Sequence, residues 1–330
     1  MLKESAIYFF FSKFAVKRDC VHHINARTSL IISITLKLTF IMLTVDQLND
    51  KLIDLAFAED IGDGDHTTLC CIPEDAMGES KLLIKEEGVL AGVEIAKEVF
   101  HRFDPTMTVE VFIEDGSHVK PGDIAMSVKG KVQSLLQTER LMLNILQRMS
   151  GIATMTAKYV KRLEGTHTRI LDTRKTTPGM RMLEKEAVKI GGGTNHRIGL
   201  FDMILLKDNH IDFAGGIENA ISRCHEYLKK KGKDLKIEIE VRNFDELNRV
   251  LACGGVNRIM LDNFSTEDTK KAVKLINGKY ETESSGGITY DTIRDYAECG
   301  VDFISVGALT HSVKGLDMSF KAADSSKLTI

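Results

Sequence analysis

From Gly165 onward, short apolar runs alternate with longer amphipathic ones, and the last four short runs recur about every 22 residues, the length of one strand–turn–helix–turn unit. Parallel strands cannot be joined by a tight turn and need a crossover of a dozen or more residues. The spacing therefore predicts an α/β chain with a parallel sheet and helices packed on it. Strands are expected at Arg169–Asp172, Met203–Leu206, Ile237–Val241, Arg258–Leu261, Thr282–Ser285 and Phe303–Val306. Helices are expected near Met180–Ile190, Ile217–Lys231, Phe244–Cys253, Ser265–Ile276 and Tyr290–Cys299, with Gly232, Gly254 and Gly300 where C-caps fall. Six strands are fewer than the eight of a closed barrel.

The residues before Gly165 follow a different pattern. A helix is expected from Thr44 to Asp60, strands at Lys81–Lys85, Thr108–Ile113 and Ile124–Val128, and a helix near Val93–Arg102. Ser134-Leu-Leu-Gln137 fits a capping box at the start of a long helix, which is expected to break near Ser150-Gly151 before another reaches Leu163. Glu114–Asp123 is similar to the turn of lipoyl or biotinyl carriers but lacks a lysine at a hairpin tip, so it reads as a β-turn set by Gly116, Pro121 and Gly122.

A net charge of -3 over 330 residues offers no global field for nucleic acid. None of the six cysteines has C-x-x-C spacing, and Cys70-Cys71 are neighbours poorly placed to chelate together. They read as reduced, buried thiols of a cytoplasmic protein. Residues 1–41 carry Phe9-Phe10-Phe11 and scattered basic residues, and an apolar run from Leu30 to Leu43 is broken by Lys37. That run is short of the roughly 20 apolar residues a membrane span needs. No signal-peptide pattern is clear; a transit peptide fits the basic excess, and an extension without a fold of its own fits equally.

In α/β barrels the chemistry gathers where strands end and βα loops begin. Here those ends carry Asp172, Arg174 and Lys175, then Lys207 and Asp208, Glu240, Asp262, Ser285-Gly286-Gly287 and Gly307. Each strand core reads as apolar. Arg181, Lys185 and Lys189 have helical spacing beside Glu184 and read as a solvated face. Arg174, His196, Arg197 and Lys207 have no such explanation; with the flexible Gly191–Arg197 loop they point to a ligand with more than one anionic group. The glycines near Ser285 and Gly307 suit a phosphate. Glu240 and Asp262 suit Mg²⁺, ribose hydroxyls or a cationic transition state. Cations for phosphates beside carboxylates for a sugar suggest a phosphorylated ribose.

Over about Met42 to Phe320 the chain resembles the family of nicotinate-nucleotide pyrophosphorylase (carboxylating), or quinolinate phosphoribosyltransferase. The motifs include Ala58–Asp65 with Thr67-Thr68, Gln137–Arg140, Asn144–Thr154, Asp172–Gly179, Gly191–Gly199 and Leu206–His210. They continue through Ile239–Val241, Met260–Asn263, Glu283–Gly287 and Ser305–Gly307.

Residues 1–41, an extension, lie outside the family pattern; the resemblance implies an N-terminal open α/β sandwich at 42–150 and an incomplete α/β barrel at 151–312. A tail at 313–330 would return to the first domain near Asp317–Phe320. It further implies a homodimer or hexamer in which Arg140 reaches the partner's site. Arg174, His196, Arg197 and Lys207 would hold quinolinate. Lys175, Glu240 and Asp262 would face phosphoribosyl pyrophosphate and Mg²⁺ and serve catalysis, with Glu240 and Asp262 the metal-side acids. Ser285, Gly286, Gly287 and Gly307 would cradle the 5′-phosphate. The implied reaction yields nicotinate mononucleotide, pyrophosphate and CO2. The rivals are a relative that uses nicotinate without decarboxylation, the molybdenum-associated homologue, a carrier module, and a metal-dependent barrel aldolase or hydrolase.

Overall fold

Alternate residues of β1 (Met77–Ile84) turn Ser80, Leu82 and Ile84 inward. On one side β1 pairs with β5 (Ile124–Lys131), and β3 (Thr108–Val111) lies beyond β5; on the other it pairs with β12 (Met318–Ala322). All three ladders are antiparallel, with Leu82 opposite both Phe320 and Met126. The structure, a computed structural model, describes residues 43–323, and the extension at 1–41 lies outside them. A short antiparallel ladder joins β2 (Gly88–Val89) to β4 (His118–Val119). The Glu114–Asp123 stretch turns where glycine allows, at Gly116 (φ 85°) and Gly122 (φ 93°).

Helix α1 (Val45–Asp60) is followed by the short α2 (His66–Cys71), whose N-terminus is capped by Asp65. Arg102, near the end of α3 (Val93–Phe103), reaches Asp50 and Asp54 of α1. The apolar stripe Val93, Ala96, Val99 and Phe100 is buried, and the Phe100 ring lies 5.8 Å from that of Phe320.

The long helix differs from the sequence reading in two places. It runs unbroken as α4 (Val132–Arg162), crossing the point where a break was expected. Ser150 is fully buried; its hydroxyl accepts the Ala91 N–H and donates to the Ala91 carbonyl, so the residue cross-links layers. Gly151 is needed because a Cβ there would collide with the Lys314 carbonyl. Ser-Gly here is a packing device, and propensity yields to tertiary contact. Nor does Ser134 cap the helix. The N-cap is Lys131, three residues before Ser134, whose hydroxyl donates to Asp104 at 2.8 Å.

After α4 come β6 (Arg169–Leu171), β7 (Ile204–Leu206), β8 (Ile237–Val241), β9 (Arg258–Asp262), β10 (Glu281–Ser285) and β11 (Phe303–Ser305), close to the expected positions. They pair in parallel in the order β6–β11–β10–β9–β8–β7. β6 and β7 are unpaired edges, so the barrel is incomplete. A lone parallel bridge, Leu171 to Thr194, lays the glycine-rich loop along the free edge of β6.

Between and after the strands run α5 (Arg181–Ile190), α6 (Asp208–Ala214), α7 (Ile217–Lys231), α8 (Phe244–Cys253), α9 (Thr266–Ile276), α10 (Ile293–Ala297) and α11 (Ala308–His311). Asn243 and Ser265 cap α8 and α9 by accepting N–H groups three residues on, as helix N-termini require. α10 is shorter than the predicted Tyr290–Cys299.

In β8 the period of two sends Ile237, Ile239 and Val241 toward Leu247 and Ala272 of the surrounding helices, and Glu238 and Glu240 to the opposite face. The strand cores are therefore not uniformly apolar, because the inner face carries buried Glu238 and Glu283 beside Arg258.

Candidate active site

The strand ends open into a cavity of about 890 Å³. Its walls include Arg174, Lys175, His196, Arg197, Lys207, Glu240, Asp262, Ser285, Gly286, Gly287 and Gly307. These come from all six parallel strands or the loops after them, so only the folded sheet brings them together. Arg140 is not in this wall. It lies exposed on α4, four residues from the exposed Leu136, with no described hydrogen bond or ion pair.

At the β6 end, Arg174 has a buried Nε without a partner. Arg197 donates through Nη1 to the Met203 carbonyl at 3.3 Å. Burial, and then the neighbouring Arg174 charge, lower the proton affinity of Arg197 from the usual guanidinium value. Two neighbouring guanidiniums, one with an unused buried donor, suit a ligand with more than one anionic group.

Across the cavity, Lys207 pairs with Glu240 at 3.2 Å. Burial raises the Glu240 pKa, Lys207 opposes the rise, and Asp262 adds to it. Two carboxylates close enough to repel, with hard oxygen donors, fit Mg²⁺ carrying a substrate phosphate. Gly286 (φ 96°) lies against Asn263, itself at φ 57°, and a Cβ at Gly286 would collide with the Asn263 side chain. Asn263 in turn donates to Asp262 at 2.6 Å, so the glycine turn and the acid are built as one piece. At Gly307 a Cβ would come within 3.1 Å of both Lys175 and His311.

His196 is 8% exposed. Its Nδ1 accepts the Arg197 N–H at 2.7 Å, while Nε2 faces Glu238 at 3.0 Å and Glu283 at 3.5 Å. Both nitrogens thus face protein groups, and burial lowers the ring's pKa, which favours the neutral form. The ligand atoms of His196, Glu238 and Glu283 lie within 4.8 Å of one another, a spacing a cation could use. Arg258 already supplies a positive charge 3.1 Å from Glu283. Its single charge, shared with Glu281 at 3.0 Å, cannot balance both buried carboxylates, so one of them is favoured to keep its proton.

Glu283 fits that role, its pKa pushed up to about 8 by burial and then by Glu238. An unfolded glutamate ionises near pH 4.3. Above that value the unfolded chain has lost this proton while the folded chain keeps it, so stability falls as pH rises toward 8. Between pH 6.5 and 8 the loss is about 2 kcal/mol. Glu283→Gln mimics the protonated acid, so its melting temperature should decline less than that of the parent over this window. Parallel declines would refute the retained proton.

The supposed solvated face of α5 is the main correction to the site. Lys185 is 1% exposed and pairs with the fully buried Asp172. Arg181 donates to Thr176 at 3.0 Å and, at 3.3 Å, to the carbonyls of Ile198 and Arg174. Glu184 is fully buried against Arg148 of α4. Only Lys189 behaves as a surface residue, paired with Glu186. Helical spacing was misleading because this helix buries the face that meets the glycine-rich loop. Nor are the cysteines uniformly buried, because Cys70, Cys71 and Cys253 are exposed.

Glu283, Thr173, Asn263 and His311 line the cavity and were missed in the sequence. Glu283 lies on the same strand face as Ser285, a period-two signal that could have identified it. His311 carried no comparable signal.

Comparison with known proteins agrees with this fold. The quinolinate phosphoribosyl transferase N-terminal domain matches residues 65–150, and the C-terminal domain of that family matches residues 152–321. A rice protein, the chloroplastic nicotinate-nucleotide pyrophosphorylase [carboxylating], is 46% identical over 286 residues, covering 82% of this chain and 76% of its own. The probable Bacillus subtilis nicotinate-nucleotide pyrophosphorylase [carboxylating] is 42% identical over 269 residues, covering 82% and 91%. The crystal structure of NadC from Streptococcus pyogenes superposes with a TM-score of 0.79 at 39% identity, covering 86% of this chain and 100% of that one.

Proposed function

The chain belongs to the quinolinate phosphoribosyltransferase family, and we propose that the cavity at its strand ends is where quinolinate meets phosphoribosyl pyrophosphate. The reaction transfers the phosphoribosyl group to quinolinate with decarboxylation, giving nicotinate mononucleotide, pyrophosphate and CO2. The observation that carries the site assignment is the repelling pair Arg174 and Arg197 with the unpartnered buried Nε of Arg174. Quinolinate has two carboxylates to fill such a receptor, whereas nicotinate has one.

Arg174, Arg197 and Lys207 orient the pyridine dicarboxylate, and His196 fixes the Arg197 backbone beneath it. The C1–O bond to pyrophosphate breaks, taking its electron pair to the leaving oxygen. Glu240 and Asp262 face the ribose and stabilise the positive charge left on it. The pyridine nitrogen donates its lone pair to C1. The C2–carboxylate bond then breaks, CO2 leaves, and the electron pair stays at C2 beside the cationic nitrogen until a proton arrives. Ser285, Gly286, Gly287 and Gly307 hold the 5′-phosphate, with Lys175 beside them. Mg²⁺, held through Glu240 and Asp262, would neutralise charge on the diphosphate. Throughout, the protein mainly places charge and fixes orientation.

Residues 151–312 are the catalytic part in this reading, and 42–150 with 313–330 the capping part. The functional unit is a dimer, or dimers built into a hexamer, in which Arg140 completes a neighbour's site; its exposure and lack of a described partner support this. Among the described residues no helix is long and apolar enough to cross a membrane. The six cysteines, none at C-x-x-C spacing, fit a thiol-reducing setting such as the cytoplasm.

Purified protein with quinolinate, phosphoribosyl pyrophosphate and Mg²⁺ should release CO2 and nicotinate mononucleotide one for one, and chelation should stop both. Turnover of nicotinate at a comparable rate, without CO2, would replace this reading with the non-decarboxylating one.

A further inference from the structure

Arg174 follows β6, and Arg197 sits in the loop between α5 and β7; no hydrogen bond directly joining their side chains is described. What joins the two segments lies beneath them. Asp172, two residues before Arg174, is fully buried; its Oδ1 accepts the His196 N–H at 2.8 Å and also binds Lys185 Nζ. The same ammonium donates to the His196 carbonyl at 3.2 Å. Between them these two side chains hold both backbone polar groups of the residue preceding Arg197. Asn195 closes the arrangement when its amide nitrogen is turned to donate to Asp172 Oδ2 (2.7 Å) and the Lys185 carbonyl (2.9 Å).

We propose that Lys185 and Asp172 are positioning residues for the pyridine dicarboxylate: their buried contact sets the separation of Arg174 and Arg197 and so selects an acceptor with two adjacent carboxylates. The inference rests on Arg174 and Arg197 being the carboxylate-binding pair. The contact is suited to this role because both charges are almost wholly removed from water, where an unpaired partner is strongly disfavoured. Each partner also bonds directly to the loop backbone. Displacing a binding group by an ångström is enough to cost about a hundredfold in rate. The phosphoribosyl side of the cavity is built from β8 to β11 and Lys175, and among the described bonds those of Lys175 go to Thr173 and Thr310 rather than to this pair.

The test compares Lys185→Met with the double variant Asp172→Asn/Lys185→Met, in which no buried charge is left unpaired. The single variant should lower thermal stability and raise KM for quinolinate by about ten- to a hundredfold, with KM for phosphoribosyl pyrophosphate within about twofold. The double variant decides between positioning and plain structure. Its melting temperature should recover toward the parent, because the uncompensated carboxylate is gone, while KM for quinolinate stays high because the His196 carbonyl has lost its ammonium donor. Recovery of quinolinate KM together with melting temperature would overturn the proposal, as would equal rises in both KM values. Arg197→Gln in the same series separates the two ideas: unchanged quinolinate KM there would refute the carboxylate-binding pair itself.

Discussion

Arg197→Gln should lower kcat/KM for quinolinate by about three orders of magnitude, while the protein melts no earlier than the parent. The first half follows from what the guanidinium faces. Arg197 is half-buried beside Arg174 at the cavity wall. Removing one partner from a desolvated, hydrogen-bonded charge pair costs about 2–5 kcal/mol. At 1.4 kcal/mol per factor of ten, the upper part of that range gives the thousandfold loss.

The second half separates binding from folding. In the free protein the two cations repel, and burial already disfavours the charge on Arg197. A neutral glutamine removes both penalties. A surface arginine of structural importance would show the opposite pattern, with stability lost and kinetics nearly intact. Steady-state kinetics together with a melting curve decide the matter, and a loss below about tenfold would remove Arg197 from the substrate-binding set. Arg174→Gln should act in the same direction.

The parts of the fold legible in the sequence were those governed by local periodicity. A strand with one face under the helix layer, such as Ile237–Val241, announces itself by apolar alternation and by the glycine or capping residue that ends the next helix. What escaped was set by contacts between distant segments. Nothing in the spacing of Arg181 and Lys185 says that the loop after the helix will bury Lys185 and engage Arg181 through its carbonyls. Period-two alternation in Ile237–Val241 does place Glu238 and Glu240 on one face, but strand ends drew attention to Glu240 alone. The helix Val132–Arg162 shows the reverse error, because Ser150-Gly151 has the composition of a break and the contacts of a joint. Cationic residues at the cavity were identifiable because they lack an internal partner in the helical pattern, although Lys185 shows that such a partner can come from far along the chain.

The separation of Arg140 from the cavity leads to the other large effect. Arg140→Ala alone should be nearly inactive with quinolinate, and so should Arg197→Gln, yet a mixture of the two proteins should regain activity. Consider two-fold dimers in which each barrel is capped by its neighbour. A hybrid of the two variants has one site with both arginines intact, the barrel of the first facing the helix of the second. Its other site lacks both. Random exchange at equal amounts makes half of the dimers hybrids, so roughly a quarter of all sites are restored. Hexamers assembled from such dimers give the same fraction if single subunits exchange, whereas exchange of intact dimers restores nothing. An Arg140 that acted within its own subunit, or only through folding, would leave the mixture as inactive as its parts, since no hybrid would contain a complete site. Mixing after brief denaturant-assisted exchange, with turnover followed by CO2 release, distinguishes these cases. A recovery well above a quarter would mean that one residual arginine is sufficient, contradicting the separate losses. The exposed stripe of Leu136 and Arg140 supports the arrangement, because a bare cation beside an apolar side chain is satisfied by a partner surface that brings an anionic ligand with it.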